Sequence, residues 1–224
     1  MKLFDPEGPL MSALGTFADL VFCNILFCLF SLPLFTVGAA ASALYDCTLS
    51  IVEQREGSFI AAQFWAAFRR NFRRGTLLWL LCVAGMGLLR AYAAAVGTLS
   101  GTLAAVYRVT FFVLLFLFLA GFQYVFPVQA RSSRKETEKP GGSEKPDRDT
   151  VRHILKTAWL LSALALPWTL CAFAVPAAAL YVSFFMNPAA LNTFVFLWAF
   201  AGFAVVAYLQ SFFFRQAFRL LDRI

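Results

Sequence analysis

Long apolar stretches alternate with short polar segments along the whole chain. Apolar runs of about 20 residues, the length a helix needs to cross the hydrocarbon core of a bilayer, recur from one end to the other. Because backbone groups in lipid must be hydrogen-bonded internally, we expect helices. Continuous apolar runs also argue against a β-barrel, whose strands alternate over about 10 residues. The pattern predicts an all-α polytopic transmembrane helix bundle that occupies residues 1–224 as a single integral membrane domain.

The apolar pattern divides into about six spans. They run from about Met11 to Leu32, Gly38 to Glu53, Gly75 to Val96, Leu103 to Val128, Ile154 to Val182 and Leu191 to Phe214. The second is short, about 24 Å at 1.5 Å per residue, so it either spans a thin region or enters the membrane only partly. Pro167 and Pro176 are expected to kink the fifth span.

An amphipathic segment lies between the second and third spans, at residues 59–74. Ile60, Phe64 and Phe68 share one helical face, and a row of arginines occupies the opposite side. A basic face opposite an aromatic face is typical of a helix that lies in the cytoplasmic membrane interface. The predicted contacts to lipid or to a partner protein are Trp65, Arg69, Arg70, Arg73 and Arg74.

Basic residues are confined to a few segments. All of the 19 Lys and Arg residues except Arg90 and Arg108 lie at the two ends of the chain or in 55–74 and 131–156. The connections at 34–37, 97–102 and 183–190 carry none, which predicts that they are outer turns. Six crossings then place both termini and all basic segments in the cytoplasm, whereas five crossings would place the N-terminus outside. The net charge of +7 is explained by these segments and by anionic lipid headgroups, so no nucleic-acid partner is expected.

Two further segments bear on domain organisation. Residues 131–150 are rich in charge and have no apolar face to bury, so we predict a disordered cytoplasmic loop. The small residues from Ala39 to Ala43 resemble a signal-peptide cleavage site. The leader would be about 40 residues long and would contain acidic residues, so a retained first helix is expected.

Four polar residues in the apolar zone are candidates for function: Asp19, Asn24, Asp46 and Arg90. Ionisable groups are costly in lipid and usually face the bundle or a cavity. Asp46 and Arg90 lie at similar estimated depths, which suggests an ion pair; alternatively, Arg90 snorkels outward and Asp46 hydrogen-bonds locally. Asp19 is expected either to pair with the arginines of segment 59–74 or to form a proton or cation site.

Catalytic patterns are missing from the sequence. The one histidine, His153, follows Arg152 at the predicted cytoplasmic edge, and the five cysteines form no CxxC pair. No nucleophile elbow, zinc-binding helix or phosphate loop occurs. We therefore expect no enzymatic activity, no cofactor and no metal.

The most specific short motifs lie in the first third of the chain. They are Phe4-Asp5-Pro6, Phe17-Ala18-Asp19-Leu20, Asn24, Ser31-Leu32-Pro33, Thr36-Val37-Gly38-Ala39, Ala43-Leu44-Tyr45, Phe68-Arg69, Asn71-Phe72-Arg73 and Gly75-Thr76-Leu77-Leu78-Trp79. The chain resembles the YesL-like family of bacterial membrane proteins over most of its length, most specifically over residues 4–79. The family is a domain of unknown function, and its members are often encoded beside carbohydrate uptake systems and glycoside-degrading enzymes.

This resemblance implies a multi-pass protein of the bacterial cytoplasmic (cell) membrane. It further implies a non-enzymatic accessory or regulatory role in carbohydrate uptake, with transporter subunits as partners beside the anionic lipid bilayer. Asp46 is not part of the matched motifs. The alternative is a small-molecule or ion transporter in its own right, which the proline-interrupted span and the intramembrane charges favour.

Overall fold

Helices make up all the regular structure of the described residues. The computed structural model describes residues 9–54, 59–98, 100–138, 147–183 and 191–222. In chain order the elements are α1 (Pro9–Ser31), a 3₁₀ turn (Leu34–Thr36), α2 (Val37–Val52), α3 (Ile60–Gly97), α4 (Thr102–Glu138), α5 (Asp147–Leu164), α6 (Leu166–Tyr181), α7 (Leu191–Leu197), a π-helical turn (Trp198–Gly202) and α8 (Phe203–Leu221). The predicted all-α bundle is confirmed.

The number of spans also agrees with the sequence pattern. Within the described ranges, five helical segments are long and apolar enough to cross a membrane, and α5 with α6 passes the same test as a pair bent by 99°. The bend occurs at Ala165, whose φ of −106° and ψ of 34° are not helical. Pro167 lies in the first turn of α6, where its missing N–H has no helical partner to lose. Pro176 lies inside α6, which continues through it.

The longest feature is an antiparallel hairpin of α3 and α4, which have 38 and 37 residues. Tyr92 stacks on Phe111 toward one end, and Trp79 packs against Phe122 in the middle. At about 1.5 Å per residue each helix is about 55 Å long, well beyond the roughly 30 Å hydrocarbon core. At least one end of the hairpin is therefore expected to extend beyond the apolar layer. We call the end at which α3 begins and α4 ends the basic end.

The amphipathic segment predicted at residues 59–74 is helical but is not a separate helix. Residues 60–74 form the first four turns of α3, which continues without interruption through Gly75. Its location in the membrane interface stays a prediction. A glycine costs a helix interior only about 1 kcal/mol, too little to end a helix that is packed against others. The aromatic face contacts protein, since the ring of Phe68 lies 4.8 Å from that of Phe30 in α1. Trp65 remains half exposed.

The predicted loop at 131–150 also requires correction. Helix α4 continues to Glu138, and α5 begins at Asp147. Two arginines of the segment pair with acidic residues elsewhere in the bundle: Arg131 pairs with Asp222, and Arg134 pairs with Asp46. Residues 139–146 lie outside the described part of the chain. The residues that follow the predicted sixth span, which ends at Phe214, likewise continue α8 to Leu221.

The short helix α2 lies at the centre of the basic end, and 12 of its 16 residues are buried. It runs antiparallel to α3, because Gly38 packs against Gly75 while Ser50 is hydrogen-bonded to Gln63. It runs parallel to α8, as the contact between Thr48 and Ser211 indicates together with the bond from Arg215 to the carbonyl oxygen of Val52. Helix α2 thus lies only beside the half of α3 that begins at Ile60.

The 3₁₀ turn at Leu34–Thr36 packs against α3. Gly38, two residues after the turn, contacts Gly75, which precedes the end of α3 by 22 residues, or about 33 Å. The turn therefore does not lie level with the connection between α3 and α4. The outer location that its lack of basic residues predicts stays a prediction.

Candidate functional site

A buried ion cluster joins α2, α3 and α4 at the basic end. Asp46 is only 3% exposed. The guanidinium of Arg134 forms a bidentate ion pair with this carboxylate: Nε lies 3.0 Å from Oδ1, and Nη2 lies 2.8 Å from Oδ2. Arg70 adds a longer contact of 3.4 Å to Oδ1. Ser50 accepts hydrogen bonds from Arg134 at 2.6 Å and from Gln63 at 2.7 Å. We call these five residues the Asp46 cluster.

The predicted pair of Asp46 with Arg90 is wrong. Because α2 lies beside the first half of α3, Asp46 is level with Gln63 and Arg70. Arg90 lies 20 residues beyond Arg70 on the same helix, a distance of about 30 Å along the axis. The partner of Asp46 is Arg134, which lies in the segment for which the sequence predicts a disordered loop. Both carboxylate oxygens of Asp46 are thus engaged by arginine, so that Asp46 connects α2 to α3 and α4.

The other two ionisable candidates lie apart from this cluster. Arg90 is exposed on α3, in a groove of about 400 Å³ that Trp79 and Phe118 also line. Asp19 is half-buried on α1 and forms no ion pair with any residue that the structure describes. Two of the arginines predicted to bind it have other partners, because Arg70 contacts Asp46 and Arg74 contacts Glu136.

Asn24 is fully buried and braces α1 against the π-helical turn. Its Nδ2 donates to the carbonyl oxygens of Trp198 at 3.0 Å and Ala199 at 2.6 Å, and its Oδ1 accepts from the backbone N–H of Ala204 at 2.9 Å. A π-turn shifts the hydrogen-bond register and leaves backbone groups without their usual partners, which Asn24 supplies. Asn24 is therefore sealed in packed helices.

Asn24→Leu is expected to lower the free energy of unfolding by about 2–4 kcal/mol, because leucine leaves the N–H of Ala204 and two carbonyl oxygens unpaired in the interior. Unfolding of the purified protein in detergent micelles measures the change. Thr110→Val is the matched control, since it removes a hydroxyl that bonds only within α4, at an exposed position. Equal stability losses in the two variants would contradict the bracing role of Asn24.

A cavity of about 630 Å³ opens at the basic end, beside the first four turns of α3. Its lining residues are Trp65, Phe68, Arg69, Arg70, Phe72, Arg73, Arg74 and Glu136. All five residues predicted as interfacial contacts are thus brought together around one opening, which we call the basic cavity. Helical periodicity was sufficient to find them, because they lie on one helix. Glu136 comes from α4, in the segment mistaken for a loop, and was missed.

A third feature is an apolar groove of about 890 Å³ between α6 and the α7–α8 segment. Its wall includes Trp198, whose indole N–H donates to the hydroxyl of Ser183 at 2.9 Å. Within the described ranges, no three His, Cys, Asp or Glu side chains lie close enough together to hold a metal ion.

Long apolar helices with most of their charges at one end define this chain as a multi-pass membrane protein. Residues 20–91 match the model of a family described as "Protein of unknown function, DUF624", which is the YesL-like family. The resemblance is confirmed over these residues, about one third of the chain. They include Asn24, Asp46, Arg90 and the α3 wall of the basic cavity, but not Arg134. No curated protein and no solved structure matches the chain.

Proposed function

We propose that this protein is a non-enzymatic accessory or regulatory component of carbohydrate uptake. The observation that carries the proposal is the pairing of its buried polar groups. Asp46 is held by Arg134, and Asn24 by the π-turn, so both stabilise the bundle and neither lines a route for a substrate. The link to carbohydrate rests on the resemblance of residues 20–91 to a family often encoded beside uptake systems.

The proposed setting is the bacterial cell membrane, with the basic end and both termini in the cytoplasm. The positive-inside rule supports this orientation, because Arg70, Arg134 and Arg215 all lie at that end of the bundle. The basic cavity would then face the compartment in which imported sugars are processed. Its arginines would also lie at the level of anionic lipid headgroups.

A transporter is the second candidate, and one observation favours it. Many transporters bind substrate at broken helices, and this chain breaks helix α5–α6 by 99° and interrupts α7–α8 with a π-turn. Both breaks are nevertheless packed by neighbouring side chains. The backbone carbonyl oxygen of Thr169, one turn beyond the bend, accepts a hydrogen bond from Gln123 at 3.1 Å. That packing supports the accessory role over transport.

Deletion of the gene in its host tests the accessory role directly. The initial uptake rate of at least one carbohydrate is expected to fall severalfold and to recover when the full chain is restored. Affinity purification of the tagged chain in mild detergent should enrich subunits of the transporter for that same sugar over an untagged strain. Unchanged uptake of every sugar tested, together with no enriched transporter subunit, would overturn the proposal.

Proteoliposomes distinguish the two candidate functions. The purified chain alone is expected to give no more flux of the identified sugar than protein-free liposomes. Saturable flux through the chain alone would overturn the accessory role and establish the transporter.

A further inference from the structure

The basic cavity holds more positive charge than the surrounding side chains neutralise. Four arginines of α3 line it against a single acid, Glu136. Arg74 pairs with Glu136, and Arg70 shares Asp46 with Arg134. Arg69 and Arg73 are exposed and form no ion pair with any described residue. The cavity thus presents two guanidinium groups without acidic partners in the described part of the chain.

Arg70 has a further unused donor. Its Nε is buried and has no hydrogen-bond partner among the described residues, although its side chain lines the cavity. Its contact with Asp46 is long, at 3.4 Å. Asp46 would remain paired with Arg134 if Arg70 moved away. Arg70 can therefore turn toward a ligand in the cavity without leaving the Asp46 carboxylate unpaired.

We propose that the basic cavity binds a phosphate group. Guanidinium forks match the geometry of phosphate oxygens and bind them through paired, charge-assisted hydrogen bonds. A phosphate monoester carries close to two negative charges near neutral pH, which matches the charge left by Arg69 and Arg73. The inference does not depend on the role in carbohydrate uptake.

The size and walls of the cavity indicate what else the ligand carries. A volume of about 630 Å³ is in the range of small-molecule sites and exceeds the need of a bare phosphate ion. Trp65, half exposed, and Phe72, 39% exposed, offer apolar surface beside the arginines. The ligand is therefore a phosphate on a larger body, either a lipid headgroup or a soluble phosphorylated compound.

Two ligand arms separate these sources, using the purified full chain in a neutral detergent. The lipid arm titrates phosphatidic acid, followed by native mass spectrometry, with diacylglycerol as the phosphate-free control. The soluble arm titrates glucose 6-phosphate by calorimetry, with glucose at matched ionic strength as the control. Saturable binding of the phosphate-bearing member is expected in at least one arm, and that arm identifies the source.

Paired variants locate the binding. Arg69→Gln with Arg73→Gln is expected to weaken binding by about tenfold or more, because each arginine contributes charge-assisted hydrogen bonds. Arg152→Gln with Lys156→Gln removes the same charge from exposed positions of α5 outside the cavity, and should change binding by less than about threefold. Melting temperatures of both variants check folding, and Arg73→Gln alone is the milder substitute.

Two outcomes would overturn the proposal. One is the absence of saturable binding by the parent chain in both arms. The other is an equal loss of binding in the two double variants, because binding would then be a diffuse attraction to the basic end and not recognition by the cavity.

Discussion

Asp46→Asn is expected to lower the free energy of unfolding by about 3–5 kcal/mol, the usual cost of breaking a buried ion pair by removing one partner. Asparagine keeps the shape of the side chain but removes the charge that Arg134 grips at 3.0 and 2.8 Å. The guanidinium of Arg134, only 17% exposed, would remain in the interior without a counter-charge. Titration of mixed micelles with a denaturing detergent measures the change.

The controls compare the two partners proposed for Asp46. Arg90→Gln should change stability by less than about 0.5 kcal/mol, because Arg90 is an exposed residue of α3 far from the cluster. The double variant Asp46→Asn with Arg134→Gln should lose less than the sum of the single changes, since it leaves no uncompensated charge. If Arg90→Gln is as damaging as Asp46→Asn while Arg134→Gln is neutral, the pairing predicted from helix depth is right and the Asp46 cluster is wrong.

The spans could be predicted because the requirement for them is local. A helix of about 20 apolar residues is long enough to cross the hydrocarbon core, whatever packs beside it. The bend at Ala165 was also anticipated in part, since Pro167 cannot continue a helix from the preceding turn. Its angle was not predictable, because it depends on what packs around the break.

The polar ends of the helices could not be predicted from local pattern. Residues 131–138 have no apolar face, and composition alone favours disorder. They are helical because Arg131 pairs with Asp222, directly after α8, and Arg134 pairs with Asp46 on α2, at positions remote in the sequence. The pairing predicted for Asp46 with Arg90 failed for a related reason. Depths counted from the ends of two helices are comparable only if each helix begins at a membrane surface. Gly38 at the start of α2 instead meets the middle of α3.

Polar residues in apolar runs were recognisable, but their partners were not. Asn24 stands out in α1 because an amide is costly in an apolar environment without hydrogen bonds. Its partner is the irregular backbone of Trp198–Gly202, and the sequence there shows no proline to signal a break. The arginines and Trp65 were recognisable because they lie on one amphipathic helix, whose basic and aromatic sides follow from helical periodicity.

Gly38→Ala is expected to cost about 3 kcal/mol or more, because the helices α2 and α3 touch through their backbones at this position. A methyl group at Gly38 would overlap the carbonyl oxygen of Gly75 and lie 2.6 Å from Cβ of Trp79. Neither atom can rotate away, since one belongs to the backbone and the other is bonded directly to it. The two helices must separate, and separation would also stretch the contacts of Gln63 and Arg70 with Asp46.

Gly87→Ala is the matched control on α3, because a methyl group there would meet no atom within 4 Å. Alanine is a better helix former than glycine by about 1 kcal/mol, so this variant should be neutral or more stable than the parent. Unfolding of all three proteins in mixed micelles gives the comparison. If Gly38→Ala and Gly87→Ala shift stability in the same direction and to the same extent, α2 does not pack closely on α3. The placement of Asp46 beside Arg70 and Arg134 would then be wrong as well, since it depends on that close packing.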